Sequence, residues 1–167
     1  MSSSATTSAL QAVNWPQVVR PGPETRALER FHRDASWTGT IKAAGGVPEM
    51  SASGSGKFRW SDDGLWIIGA FQQDQFHGGE KVASWNAHYL AGWDFARKAY
   101  IAFAVDSNGR SVDFTGEIIG DSFIITSDIL PSGAGEARLR MTWDLSDPAI
   151  PHWKNETAVS GGPWMLI

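Results

Sequence analysis

Hydrophobic and polar residues follow two different periods along this chain. In the stretch 24–33, Leu28, Phe31 and His32 recur at i, i+3 and i+4, with Arg26, Glu29, Arg30 and Arg33 around the rest of the turn and Pro21-Gly22-Pro23 in front. That spacing predicts one short amphipathic helix started by prolines. From Ser36 onward the period becomes two, and turn residues punctuate it regularly. Ala52, Gly54, Gly56, Phe58 and Trp60 alternate with Ser51, Ser53, Ser55, Lys57 and Arg59, which predicts a strand with one inward and one wet face. Small residues on the inward face leave room inside. The stretch 65–73 is apolar on both faces and predicts a central strand buried on both sides. Asp62-Asp63-Gly64, Gly78-Gly79, Asn108-Gly109 and Gly120-Asp121 read as hairpin turns. After a longer loop at 131–135, Ala137, Leu139, Met141 and Trp143 alternate with Arg138, Arg140, Thr142 and Asp144, the arginines reading as a solvated stripe.

Nine or ten antiparallel strands joined by short hairpins form an up-and-down meander, and a meander of that size has unpaired edges unless it closes. The expected fold is therefore all-β: a closed antiparallel, lipocalin- or calycin-like barrel with the helix over one mouth. A lumen of ~300–1,000 Å³, the usual range of ligand sites, is expected inside. Residues 1–20 read as a flexible lead, with Trp15 and the Val18-Val19 pair as docking points, and residues 21–167 as one barrel domain.

Composition narrows the function. The chain has 167 residues, a net charge of −4, 42% hydrophobic residues and no cysteine, which suits one domain with a real core. Without cysteine there is no disulfide, thiolate nucleophile or cysteine-ligated metal, an inventory compatible with a reducing cytoplasm, where the protein is expected. The acidic balance and the lack of a Lys/Arg cluster argue against nucleic acid. No apolar run approaches the ~20 residues of a membrane span, and the N-terminal residues lack the pattern of a signal peptide. Nine tryptophans are the anomaly in so small a chain; they must line a core or a cavity.

Several segments carry a family resemblance: Pro21-Gly22-Pro23-Glu24 with Leu28, Ala35-Ser36-Trp37-Thr38-Gly39, Phe58-Arg59-Trp60 with Gly64-Leu65, Gly92-Trp93-Asp94, and Val105-Asp106-Ser107-Asn108-Gly109. In that order, over residues 21–160, the chain resembles the bacterial domain-of-unknown-function family 1579. The resemblance implies a lipocalin-like barrel of about this length. Trp93 stands where a tyrosine is commoner, and His32 and His88 belong to no shared pattern. A shared barrel confers no shared reaction, so no catalytic residue is carried over.

The residues themselves offer one acid–base constellation. In the strand 82–90, Ser84, Asn86 and His88 share one face and Trp85 and Tyr89 the other. If the polar face points inward, His88 is placed as acid or base and Asn86 as a polariser of a carbonyl or oxyanion; if it is wet, Trp85 and Tyr89 form the interior. Trp60, Trp66, Phe58, Met141 and Trp143 are expected to shape the pocket, with Gln72 or its neighbour Gln73, and His32, as polar contacts. His77 and His152 read as exposed, and Asp106 as a turn residue bonding backbone amides. The histidines lack metal-ligand spacing, so neither a metal nor a cofactor is expected. The expected partner is a hydrophobic, aromatic or polycyclic small molecule held inside the barrel. A cofactor-independent cyclase, isomerase or lyase is the first functional reading, a noncatalytic carrier or sensor the second, and haem binding through His88 or His32 a distant third.

Overall fold

A computed structural model describes residues 18–167 apart from 45, 134, 148, 150 and 151; Trp15 and most of the expected lead lie outside the described residues. The helical segment is an α-helical turn, α1 (Pro23–Arg26), that tightens into a 3-10 turn over Ala27–Phe31. Its prolines act as foreseen, Pro23 standing at the first helical position, where a missing N–H costs nothing.

Eleven strands follow: β1 (Asp34–Ile41), β2 (Met50–Trp60), β3 (Trp66–His77), β4 (Glu80–Asp94), β5 (Ala99–Asp106), β6 (Ser111–Ile119), β7 (Ser122–Ser127), β8 (Leu130–Ser132), β9 (Gly135–Asp144), β10 (His152–Val159) and β11 (Met165–Leu166). They form one antiparallel sheet in the order β1-β2-β3-β4-β5-β6-β7-β9-β10-β11, with β8 beside β9. The turns obey local chemistry. Gly78 and Gly79 both take positive φ, the requirement of the tight turn that matches strand twist between β3 and β4. Asp106 opens the β5–β6 turn by accepting the N–H groups of Asn108 and Arg110 at 2.9 and 3.1 Å.

The closed barrel is corrected to a curled sheet: among the described residues no backbone pairing joins β1 to β10 or β11. The two ends meet through side chains instead, Trp37 of β1 lying edge-on to Trp153 of β10 with ring centres 5.4 Å apart. Glycines on the concave face permit the curl, because rings from neighbouring strands occupy the space above them. A Cβ at Gly54 would sit 2.5 Å from the Trp37 ring, and one at Gly69 would sit 2.4 Å from the Phe58 ring.

The central strand is likewise not buried on both sides. Ile67 and Gly69 of β3 are buried in the concave face, while Ile68 is 52% exposed on the convex face. A one-layer sheet has a single dry side, so the outward apolar residues of β3 meet solvent. In the arginine stripe of β9, Arg138 is exposed as expected, while Arg140 is half-buried. Arg140 donates to Glu156 at 3.0 Å and lies over the Trp164 ring at 4.3 Å.

The helical turn covers one mouth of the curled sheet. Leu28, 1% exposed, enters the core with Ile67, Tyr100, Phe123 and Leu145. Polar contacts tie the turn to widely separated strands. The Tyr100 hydroxyl donates to the Glu24 carbonyl at 3.0 Å, Trp60 Nε1 to Glu29 at 2.8 Å, and Arg30 to the Leu145 carbonyl at 2.6 Å. Truncating the anchor, Leu28→Ala, is expected to destabilise the fold by about 2–5 kcal/mol, read as a fall in Tm of roughly 2–4 °C per kcal/mol. A loss under about 1 kcal/mol in urea unfolding contradicts this role for the turn.

Glu156 is buried at 8% exposure, and the hydrogen bond from Arg140 holds its carboxyl below the usual range against the opposing effect of burial, with Lys154 helping. A carboxylate depressed in the folded state contributes stability that is complete above its unfolded pKa and is lost as pH falls through the folded value. The stability difference between wild type and Glu156→Gln, open at pH 7, should therefore close below about pH 4 in thermal melts. A difference that persists unchanged into stronger acid refutes the assignment.

Candidate functional site: an aromatic cavity under the helical turn

The alternation of β4 fixes what can act inside the sheet. Ala87 is buried on the concave face, and Trp85, Tyr89 and Ala91, which share its parity, line the interior. Asn86 and His88 lie on the opposite face and are exposed. Their expected place in a lumen is thus corrected: the polar face of this strand is the wet one, and neither group can reach a molecule held inside. His88 is for the same reason no axial ligand for an enclosed haem.

A cavity of about 170 Å³ lies between the concave face and the helical turn. It is smaller than the lumen expected from strand number, because aromatic rings fill the hollows over the inward glycines. Phe31 packs on Phe123 at 5.3 Å and on the edge of Trp143 at 5.7 Å under the turn. Towards the seam, Phe71 stacks on Tyr89 at 5.2 Å and meets Trp85 and Trp37 edge-on at 4.8 and 5.5 Å. Residues of both clusters line the cavity together with Phe58 and Met141.

The structure brings only some of the expected pocket residues to this wall. Phe58, Met141 and Trp143 are there. Trp60 packs against the core but is turned to its bond with Glu29, outside the lining. Trp66 is on the convex face, where its ring occupies the space a Cβ at Gly92 would take. Gln72 is also convex and exposed, in a shallow polar hollow with Ser36, Ser53 and Ser55; the next residue, Gln73, is the one lining the cavity. His32 stays outside, its Nδ1 3.4 Å from Glu29 Oε1 and its ring 6.4 Å from that of Trp60.

Two features of the wall escape a reading of periodicity. The first is a pair of polar atoms at the seam. Trp37 Nε1 and Asn155 Oδ1 are buried without a hydrogen-bond partner among the described residues, and both side chains line the cavity. A buried polar group left unpaired costs about 1–3 kcal/mol, a cost that a bound group reaching either atom would remove. The tryptophan in Ala35-Ser36-Trp37-Thr38-Gly39 was visible in the sequence, but its partner across the seam was not. The second is an electrostatic brace behind the wall. Trp85 Nε1 donates to Asp106 Oδ2 at 3.1 Å, and Arg110 donates to the same oxygen at 2.9 Å. Burial opposes the charge on Asp106, but these bonds and the turn amides hold its carboxyl below the ordinary range. Burial, and secondly the Asp106 charge, push the Tyr89 phenol well above its ordinary value, so it remains a neutral hydroxyl.

The titratable groups of the described wall are Tyr89, Arg30 and Arg33. A phenol with a raised pKa does not exchange protons near neutrality. Arg30 is already engaged with the Leu145 carbonyl, and Arg33 Nε donates to the Arg30 carbonyl at 2.8 Å. Among the described residues no three His, Asp or Glu side chains gather as they would to hold a metal ion, and no helix is long and apolar enough to cross a membrane. The arrangement can exclude water and stack against a planar apolar molecule. Neither a scan against models of known protein families nor a search of curated proteins finds a match to this chain.

Proposed function

We propose that this protein is a noncatalytic binding protein, a carrier or sensor, for a small single-ring or similarly compact apolar molecule held in the cavity under the helical turn. The observation that supports the reading is the enclosed cavity walled mainly by aromatic and aliphatic side chains, with a buried donor and acceptor, Trp37 Nε1 and Asn155 Oδ1, lacking partners among the described residues of its wall. An apolar cavity of about 150 Å³ accepts benzene, so 170 Å³ suits one ring better than the polycyclic ligand the strand count suggested. Acid–base transformation of the ligand is the weaker reading, since His88 and Asn86 are on the far side of the sheet and the wall lacks a group that titrates near neutrality. In this account the sheet is a lipocalin-like barrel whose last gap is closed by rings rather than by backbone pairing. The resemblance to family 1579 is consistent with it.

The test uses tryptophan fluorescence and thermal melts with toluene, phenol and benzamide as probes. At 100 times Kd a ligand adds ~2.7 kcal/mol, which raises Tm by roughly 5–10 °C for a domain of this size. Trp37→Phe removes the indole donor and should weaken phenol and benzamide by roughly 2- to 10-fold, the worth of one hydrogen bond, while leaving toluene nearly unaffected. No shift in fluorescence or Tm with any of the three, or equal loss for all three in the variant, overturns the reading.

A further inference from the structure

Gln73 is a polar side chain of the cavity wall that the fold itself does not use. Backbone register sets Trp37 of β1, Gly54 of β2, Gln73 of β3 and Trp85 of β4 in one row across the concave face. Gly54 has no side chain, and Trp37 leans over it, its Cε2 and Cζ2 each 2.5 Å from where a Cβ would stand. The indole of β1 thereby reaches across β2 towards Gln73. Phe71, the neighbouring inward position of β3, has its ring centre 5.5 Å from that of Trp37 and 4.8 Å from that of Trp85. Gln73 therefore belongs to a niche of the cavity wall built by three aromatic rings. It is half-buried, and among the described residues its amide has no hydrogen-bond partner. Covering an amide in this way carries a desolvation cost that leucine or methionine of similar size would avoid, and no group of the described fold offsets it.

We infer that Gln73 selects a neutral aromatic carboxamide, an inference that rests on the reading of the cavity as the site of a single-ring molecule. A primary amide has two N–H donors and a carbonyl acceptor. Its complement is another amide: a carboxamide on the ligand accepts from Gln73 Nε2 and donates to Oε1 at once. A phenol hydroxyl has a single hydrogen to give, and a hydrocarbon has none. The aromatic niche favours a planar group, which a carboxamide conjugated to its ring provides. Charge is disfavoured at this end of the cavity. Asp106, bonded to Trp85 Nε1, places a negative charge behind the wall here. The arginines of the wall belong to the other end: the Arg33 carbonyl accepts from the Phe58 N–H, roughly 13 Å along β2 from Gly54, and the Arg30 guanidinium is held at the Leu145 carbonyl. A ligand carboxylate beside Gln73 would face Asp106 with no cation to pair with.

Equilibrium titrations of toluene, benzamide, benzoate and benzamidine, followed by tryptophan fluorescence, test the assignment. Wild-type protein should bind benzamide more tightly than benzoate. Gln73→Leu removes both hydrogen bonds, each worth about 2- to 10-fold, and should weaken benzamide by roughly 4- to 100-fold while leaving toluene unchanged or tighter. Gln73→Glu keeps the shape but loses the donor and gains a charge, so benzamidine should overtake benzamide. Circular dichroism and Tm report that each variant is folded, and the two variants are read independently. If none of the probes binds wild type, the binding reading falls and this inference with it. If toluene binds but benzamide is no tighter than benzoate, if Gln73→Leu weakens toluene and benzamide alike, or if Gln73→Glu leaves their order with benzamidine unchanged, the cavity remains a binding site and the role of Gln73 is overturned.

Discussion

The structure depends on how the two ends of one long sheet meet. Among the described residues, eleven antiparallel strands leave β1 and β10 without a shared hydrogen-bond ladder, and the gap is bridged by Trp37 against Trp153. This contact exists only because Gly54 supplies no side chain beneath Trp37; a single methyl there would lie 2.5 Å from the ring. The same indole lines the cavity and carries a buried N–H that has no hydrogen-bond partner among the described residues, so the group that joins the two ends is also part of the cavity wall. Edge-to-face ring pairs contribute ~1 kcal/mol beyond their buried area. Side-chain closure of this kind is weaker and more easily opened than a backbone ladder, which suits the proposed admission of a molecule to the cavity.

Local chemistry made much of the fold legible in the sequence. Paired glycines at 78 and 79, the Asp-Ser-Asn-Gly run at 106–109 and the glycine at 120 each require one kind of turn, and each turn is found there. The inward parity of β2 was readable because its alternate residues are serines, lysine and arginine. In β4 it was not, because one face offers Trp85 and Tyr89 and the other an amide and an imidazole, and a lumen could use either. Sequence alternation states that two faces differ; burial decides which of them is dry, and that depends on the neighbouring strands. β5 shows why the sign is hard to guess. Its concave side is crowded by Trp93 and Phe123 around Tyr100, so small alanines fit inward and bulkier side chains are displaced outward.

The cavity illustrates a related limit. Strand number and small inward residues argue for space, but those residues accommodate rings from strands they pair with or face, and the remaining volume is 170 Å³. The polar atoms at the seam were out of reach for the same reason: Trp37 and Asn155 are 118 positions apart in sequence, and only the curl brings both to one wall.

The most direct measurement is a methyl spectrum of protein labelled at the methionine methyl groups, titrated with phenol. Among Met50, Met141 and Met165, only Met141 lines the cavity, while Met165 is half-exposed on a short edge strand. The account predicts that phenol shifts the Met141 methyl in a saturable manner and produces contacts between ligand protons and that methyl, with Met50 and Met165 unmoved. Saturation of the Met165 or Met50 signal with Met141 unchanged would place the ligand outside the sheet and contradict the account.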